Sequence, residues 1–291
     1  MSRSSAPWHR VVWMTVAAAL LAARTPSVRA ADEALTADEV ARILSQASAG
    51  AASVGLSATI AVVDAEGRQL GLLRMDGAPA LTRIQPVEGG NGLGLDTVDA
   101  GLGAFAKAAT GALLSSGGNA FSTRTASFIV QEHFPPGIDF TSGGPLFGVQ
   151  FSSLHCSDVN PVSPLGLAAD AGGFPLYKNG KVVGGIGVEG DGEYALDRRP
   201  DLVDISREEQ AALAGQRGFE PPDIIRGDQI LADGIRLAYT DATAAATGTA
   251  RPGLLVDGPR AGGPTLRLDA TLGGVPGQVD PRYPTRAGQV L

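Results

Sequence analysis

Apolar residues recur at helical spacing in several stretches of the chain. The clearest runs from Leu35 to Gly55, where Thr36 and Glu39 form a capping box and Gly55 suits the position after the last turn. Similar spacing predicts further helices at Thr97–Leu114, Ser122–Phe134 and Gly227–Ala244, and a short helix near Ser206–Ala214.

Other stretches alternate or are rich in β-branched residues. They predict strands at Ser57–Asp64, Arg68–Met75 and Leu146–Ser153. Two further strands flank Asn179-Gly180, a pair that tolerates the positive φ angles of a type I′ hairpin turn. Pro175 lacks an amide donor, so the first arm of this hairpin is expected at a sheet edge.

The second arm of that hairpin is rich in glycine. Its glycines are Gly184, Gly185, Gly187 and Gly190. A bare backbone within a strand indicates a bulge or the close approach of a ligand or another chain. Gly185 and Gly187 are therefore candidate ligand-binding positions.

The element order is helix, two strands, two helices, three strands and helix. Strands joined by hairpins predict an α+β fold, with a five-stranded, mainly antiparallel sheet and helices packed on it. A single domain is expected over 31–244, with insertions near 87–95, 155–171 and 191–227. The last of these is expected to lie over the surface. The Gly- and Pro-rich tail, 245–291, either wraps the body or stays loose.

The first 30 residues have the build of a secretory signal peptide. A leader with Arg3 and Arg10 precedes the apolar run Val11–Ala23, and Val28-Arg29-Ala30 offers a cleavage site before Ala31. An uncleaved N-terminal anchor is the alternative. The sequence thus predicts an exported protein, periplasmic or extracellular, with no membrane association after cleavage.

The net charge of the chain limits the kinds of molecule that it can bind. The leader holds four arginines and no acid, so the remaining chain has 19 basic and 30 acidic residues and a net charge of −11. Such a chain repels nucleic acid and anionic membrane surfaces. A small molecule is the more suitable partner.

The residues suited to metal or redox chemistry are few. Cys156 is the only cysteine, which excludes a disulfide within the chain. Beyond the leader only His133 and His155 remain, and their spacing excludes a structural zinc site. His133 is the candidate metal ligand, because imidazole is the commonest protein donor to haem iron. The alternative is a helix-end histidine that bonds terminal carbonyl groups.

Two stretches match part of a known binding motif, but the sequence around each does not fit the corresponding site. The run 185–190 fits G-x-G-x-x-G but lies inside a predicted strand, with no helix following it, which argues against a dinucleotide site. The alternating acids Glu189, Asp191 and Glu193 lack the glycine and the final glutamate of a calcium loop.

Four segments, in order, resemble the GlcG/HbpS-type haem-binding family, whose domain also occurs at the C-terminus of PduO-type cobalamin adenosyltransferases. They are Ala61–Gly67 with Leu73–Ala78, Phe105–Thr110, Gly143–Gly148, and the Gly-Gly-Phe-Pro-Leu hairpin that ends in Gly185–Val188. The resemblance implies a compact domain with a five-stranded antiparallel sheet, assembly into homo-oligomers, and binding of haem in some members.

The resemblance also suggests roles for charged residues. Lys107, the one base in a helix of small and apolar residues, would meet a haem propionate or Asp64; the alternative is a lysine at the helix surface. Arg74 is a second candidate, or else forms an ion pair with Asp76 at a turn.

The expected function is therefore an exported, non-catalytic protein that binds haem or another small ligand. One alternative is a lyase, isomerase or haem-degrading enzyme that uses Lys107, Arg74 and Asp64. The other is an oligomeric scaffold or partner-binding module.

Overall fold

The computed structural model describes residues 34–85, 96–149, 152 and 165–246, and the backbone of strands at 271–272 and 275–278. The helices are α1 (Ala37–Ser53), α2 (Ala100–Leu113), α3 (Thr123–Ile129) and α4 (Arg207–Gln216). The strands are β1 (Thr59–Asp64), β2 (Gln69–Met75), β3 (Leu81–Ile84), β4 (Thr97–Asp99), β5 (Gly173–Lys178), β6 (Lys181–Glu189), β7 (Glu193–Tyr194), β8 (Leu231–Ala232), β9 (Ile235–Arg236), β10 (Thr271–Leu272) and β11 (Val275–Gln278).

The main sheet has six strands in the order β10-β11-β2-β1-β6-β5, and every neighbouring pair is antiparallel. The α+β class and the antiparallel sheet are confirmed, but the predicted count of five strands is wrong. A smaller sheet, β4-β3-β7, contains a parallel pair between β3 and β7.

The sheet is covered by helices on both faces. Because side chains alternate along a strand, Ile60 and Val62 face α1 and α4, while Ala61 and Val63 face α2. On the first face, branched aliphatic side chains and Phe174 form the larger core. On the α2 face, the alanines of the helix and the glycines Gly185 and Gly187 of β6 let the helix backbone lie close to the strand.

The local signals that do not depend on distant contacts are confirmed. In α1 the side chain of Thr36 accepts from the Glu39 amide, and Glu39 accepts from the Thr36 amide. In the β5–β6 turn, Asn179 and Gly180 have φ angles of 51° and 76°. β5 ends the sheet order, as Pro175 predicts.

Two helices are shorter than predicted. Residues 97–99 form β4, and α2 begins only after Asp99, whose side chain accepts from the Gly101 amide as an N-cap. α3 ends at Ile129, and the Phe134 amide then bonds the Ser142 carbonyl, which closes a loop instead of a further helical turn.

The predicted strand Leu146–Ser153 is wrong for the residues that the structure describes. Residues 145–148 form turns, with the Phe147 amide bonded to the Gly144 carbonyl and the Val149 amide to the Leu146 carbonyl. Gly148 has a φ angle of 110°, outside the strand region.

The predicted helix Gly227–Ala244 is also wrong. A short 3₁₀ turn at Gly227–Gln229 leads into the β8–β9 hairpin. Asp233 and Gly234 form its turn, with φ angles of 50° and 80°. Asp-Gly is a type I′ turn signal, and here it determines the local structure against the apolar spacing around it.

The interpretation of 191–227 as a surface insertion is corrected. Its short helix, α4, is present as predicted and is capped by Ser206, but it packs into the core against α1. Ala211, Ala212 and Ala214 are fully buried. The stretch 207–216 is therefore part of the domain body, whereas most residues of 191–206 are exposed or half-buried.

Several predictions lie outside the described residues: the signal peptide 1–30, the loop 87–95, His155, Cys156 and most of the tail. Of the tail, β11 pairs with β2 through Gly277 and Gln278. Among the residues that the structure describes, no helix is both long and apolar enough to cross a bilayer.

Candidate functional site

Lys107 lies at the centre of a buried group of acids. Its Nζ atom is 2.6 Å from Glu208 Oε2 and 2.8 Å from both Glu189 Oε2 and Asp170 Oδ2. We call these four residues the Lys107 cluster. The alternative of a lysine at the helix surface is wrong, because its side chain is 0% exposed.

Each member of the cluster comes from a different element. Lys107 is on α2, Glu189 ends β6, Glu208 is in the first turn of α4 and Asp170 is on the loop before β5. Glu208 Oε1 also accepts from the Gly190 and Asp191 amides. Both oxygens of this carboxylate therefore have donors, which joins α4 to the end of β6.

Small residues make room for the cluster. A Cβ atom on Gly103 would lie 3.1 Å from Glu189 Oε2, and one on Gly187 would lie 2.9 Å from the Cβ of Lys107. A side chain at Gly103 would therefore displace the Glu189 carboxylate, and one at Gly187 would also meet the backbone of α2.

The electrostatics keep Lys107 charged. Burial alone would lower the pKa of Lys107, but the three carboxylates outweigh it and raise that pKa well above its usual value. Burial raises the pKa of Asp170 to about 7 and that of Glu208 well above its usual range. A permanently protonated lysine is no nucleophile and forms no Schiff base.

The same geometry bears on metal binding. Carboxylate oxygens from Asp170, Glu189 and Glu208 lie within 4.8 Å of one another, a spacing that suits a cation. The Lys107 ammonium occupies the space between them. The cation that this site holds is therefore the lysine itself.

A second buried cation, Arg124 on α3, was missed from the sequence. Its guanidinium donates to both oxygens of Glu209, at 2.8 and 3.0 Å, and to the Asp204 carbonyl. Asp197 and Asp241 lie within 3.5 Å. The consecutive acids Glu208 and Glu209 thus anchor α4 to α2 and α3. The signal available in the sequence was a lone arginine among apolar and hydroxyl residues.

Lys107, Arg74 and Asp64 do not form one site, so the enzyme hypothesis based on them is not supported. Arg74 pairs with Asp99 at 2.6 Å and with the Thr59 hydroxyl. Asp64 accepts from the Arg68 and Glu66 amides in the β1–β2 turn. Arg74 pairs in register with Thr59, so it lies about 16 Å from Asp64 along β1, and alternation puts Asp64 on the other face.

Gly185 and Gly187 face the chain's own helix. A Cβ atom on Gly185 would lie 2.0 Å from the Ala108 carbonyl oxygen, and one on Gly187 would lie 2.1 Å from that of Ala104. The predicted close approach is correct, but α2 is the neighbour where a ligand or a second subunit was expected.

His133 lies in the loop after α3 and is partly exposed. Its Nδ1 atom is 2.8 Å from the Thr141 carbonyl oxygen, which can only accept, so Nδ1 carries the proton. The neutral ring then presents Nε2 as a lone-pair donor. In the same loop the side chains of Ile138 and Phe140 are exposed, Phe140 completely.

These observations test whether haem fits. Lys107 is sealed and already paired with three carboxylates, so it does not fit a haem propionate. His133 does fit an iron ligand, because a backbone carbonyl fixes its tautomer in the way common for ligating histidines.

Comparison with known proteins gives structural likeness only. The chain matches no protein-family model and no curated protein. A solved PduOC–haem complex is 18% identical in sequence, with a TM-score of 0.41. The match covers 64% of this chain and 95% of the chain in that complex. The Klebsiella pneumoniae protein ORFY, of family DUF336, is 18% identical with a TM-score of 0.39, covering 63% and 88%.

At this identity and TM-score the likeness assigns no role to any residue of this chain.

Proposed function

We propose that this chain is an exported, non-catalytic protein that binds haem at the loop after α3, with His133 as an iron ligand. The observation that carries the proposal is the 2.8 Å contact between His133 Nδ1 and the Thr141 carbonyl, which in the neutral imidazole fixes the tautomer that has its lone pair on Nε2. The four-segment resemblance to haem-binding proteins in the sequence supports it.

The surroundings of His133 suit an apolar, planar ligand. Ile138 is 51% exposed and Phe140 is 101% exposed, on the loop that the Phe134–Ser142 hydrogen bond closes. Apolar side chains that lie uncovered in this way gain stability when a porphyrin face covers them. The sheet offers no such surface at Gly185 and Gly187, where α2 already lies.

Haem titration of purified protein tests the site. We expect a saturable Soret band with the natural chain and its loss, or at least a tenfold weaker Kd (~1.4 kcal/mol), with His133→Ala. His155→Ala is the matched control, since His155 is the other histidine beyond the leader. An unshifted, unsaturable band with the natural chain would exclude haem, and an equal effect of both variants would exclude His133 as the ligand.

Export is part of the proposal and has a separate test. If the leader is a signal peptide, the secreted protein begins at Ala31, and N-terminal sequencing after expression in a bacterial host reads Ala-Asp-Glu. Protein retained with Met1 intact would favour the N-terminal anchor. Homo-oligomerisation stays a prediction that light scattering can test.

A further inference from the structure

The Lys107 cluster has more negative than positive groups. Three carboxylates surround one ammonium, so full ionisation would leave two uncompensated charges. The side chains of Lys107 and Glu189 are 0% exposed and that of Glu208 is 3% exposed. Uncompensated charge in such a place is strongly unfavourable, and binding a proton is the direct way to reduce it.

The hydrogen-bond donors around the cluster are distributed unevenly among its three carboxylates. Glu208 accepts from Lys107 and from two backbone amides, whereas Glu189 Oε1 has no hydrogen-bond partner among the described residues. Asp170 is bound through Oδ2 to Lys107 and has 17% of its side chain exposed. Asp170 is therefore the group through which a proton can exchange with solvent.

Every element packed on the cluster contributes charged or titratable groups. α2 contributes Lys107, β6 Glu189 and α4 Glu208. Asp191 lies just beyond β6. Tyr194 of β7 places its ring 5.9 Å from Lys107 Nζ, and its buried hydroxyl has no partner among the described residues. Apart from Lys107, all these groups are acids, so none of them compensates the excess negative charge.

We propose that the Lys107 cluster is a pH-dependent latch, which holds the loop 165–172 closed over α2 while it carries one extra proton and releases that loop when the proton is lost. Glu189 and Glu208 are fixed in a strand and a helix. Asp170 is on a loop, so repulsion among the ionised carboxylates is relieved by moving this residue outward.

The loop is also attached to the body at Leu167, whose amide donates to the Ser152 hydroxyl, and at Gly172, whose carbonyl accepts from the Val188 amide. Ala168 donates its amide to the Thr110 hydroxyl at 2.7 Å, and Leu165 and Ala168 pack against Val98 and Ala106. When Asp170 moves outward, the contact between its Oδ2 atom and Lys107 Nζ on α2 is lost. Burial raises the pKa of Asp170 to about 7, which puts the release near neutral pH.

Hydrogen exchange of the loop amides tests the latch directly. We expect the protection factors of 165–172, corrected for the intrinsic effect of pH, to fall about tenfold or more between pH 5.5 and pH 8.5, the change that one pK unit represents. Asp170→Asn, which mimics the protonated acid, should keep the loop equally protected at both pH values. Asp201→Asn, in an exposed pair with Arg199, is the control and should behave like the natural chain.

The unfolding temperature is a second measure of how protonation of Asp170 affects the protein. An acid whose pKa is higher in the folded than in the unfolded protein stabilises the fold fully below its unfolded pKa, here about 4. This contribution is lost as the pH rises to the folded pKa, here about 7. Asp170→Asn should therefore exceed the natural chain in Tm at pH 8 by about 5 °C and equal it at pH 4.

The natural chain alone can decide the outcome if the variant does not fold. Protection of 165–172 that is independent of pH overturns the proposal. So does an Asp170→Asn chain whose loop loses protection at high pH as the natural chain does.

Discussion

Replacement of Lys107 by Met is expected to destabilise the fold more than any substitution at the glycines of β6 or at the exposed ion pairs. Methionine fills a similar volume but leaves Asp170, Glu189 and Glu208 buried without a cation. Removal of one partner from a buried ion pair costs about 3–5 kcal/mol, a large part of the ~5–15 kcal/mol that stabilises a typical domain. Chemical unfolding followed by circular dichroism at pH 7 measures this loss.

The control for this substitution is Lys178→Met. Lys178 pairs with Glu39 at 2.9 Å, but both side chains are partly exposed, so the expected change is about 1 kcal/mol or less. Equal midpoints for the two variants would contradict a sealed cluster. If Lys107 instead served a ligand, Lys107→Met would keep its stability and lose haem affinity.

The stability of the Lys107→Met variant is expected to decrease as the pH rises. Without the ammonium, burial and mutual repulsion act on the carboxylates unopposed, so the pKa values of Asp170 and Glu208, which burial already raises, rise further. The variant should therefore be most stable in mild acid and lose stability as pH increases towards 8.

The features predicted correctly from the sequence depend on neighbours in the chain. The capping box of Thr36 and Glu39 spans three residues, and the Asn179-Gly180 turn needs only its own φ preferences. Local chemistry of this kind is readable without knowledge of the fold. The Asp233-Gly234 turn is an equally local signal, and in the structure it prevails over the helical spacing around it.

The partners of Lys107 were not readable in the same way. A lone lysine among small residues indicates a need for carboxylates, but Glu208 is 101 residues away along the chain. Asp64 was nearer in sequence, yet strand alternation puts it on the opposite face of the sheet. Only the packing of α4 onto β6 brings Glu208 to the lysine, and that packing depends on the whole core.

The glycines of β6 show which part of a close contact the sequence predicts and which part it does not. Bare backbone at Gly185 and Gly187 correctly predicts a close approach, because only hydrogen fits there. The sequence does not specify what approaches. A ligand, a second subunit and a helix of the same chain all require the same absence of a side chain, and the structure places α2 there.

Gly185→Ala is expected to be the second most damaging change. Its new methyl group would lie 2.0 Å from the Ala108 carbonyl oxygen and 3.0 Å from the Ala112 amide nitrogen, both backbone atoms. A backbone obstacle cannot rotate away, so α2 must move as a body and disturb the Lys107 cluster. Overpacking costs about 1–3 kcal/mol where side chains can adjust, and we expect about 3 kcal/mol or more here.

Gly117→Ala is the matched control, because its Cβ atom would meet nothing within 4 Å and its backbone is not in the left-handed region. It should change the free energy of unfolding by about 0.5 kcal/mol or less. If both variants unfold at the same denaturant concentration, α2 does not lie on β6. If Gly185→Ala also weakens haem binding while His133→Ala does not, the ligand lies against the glycine-rich strand, and the His133 loop is not its site.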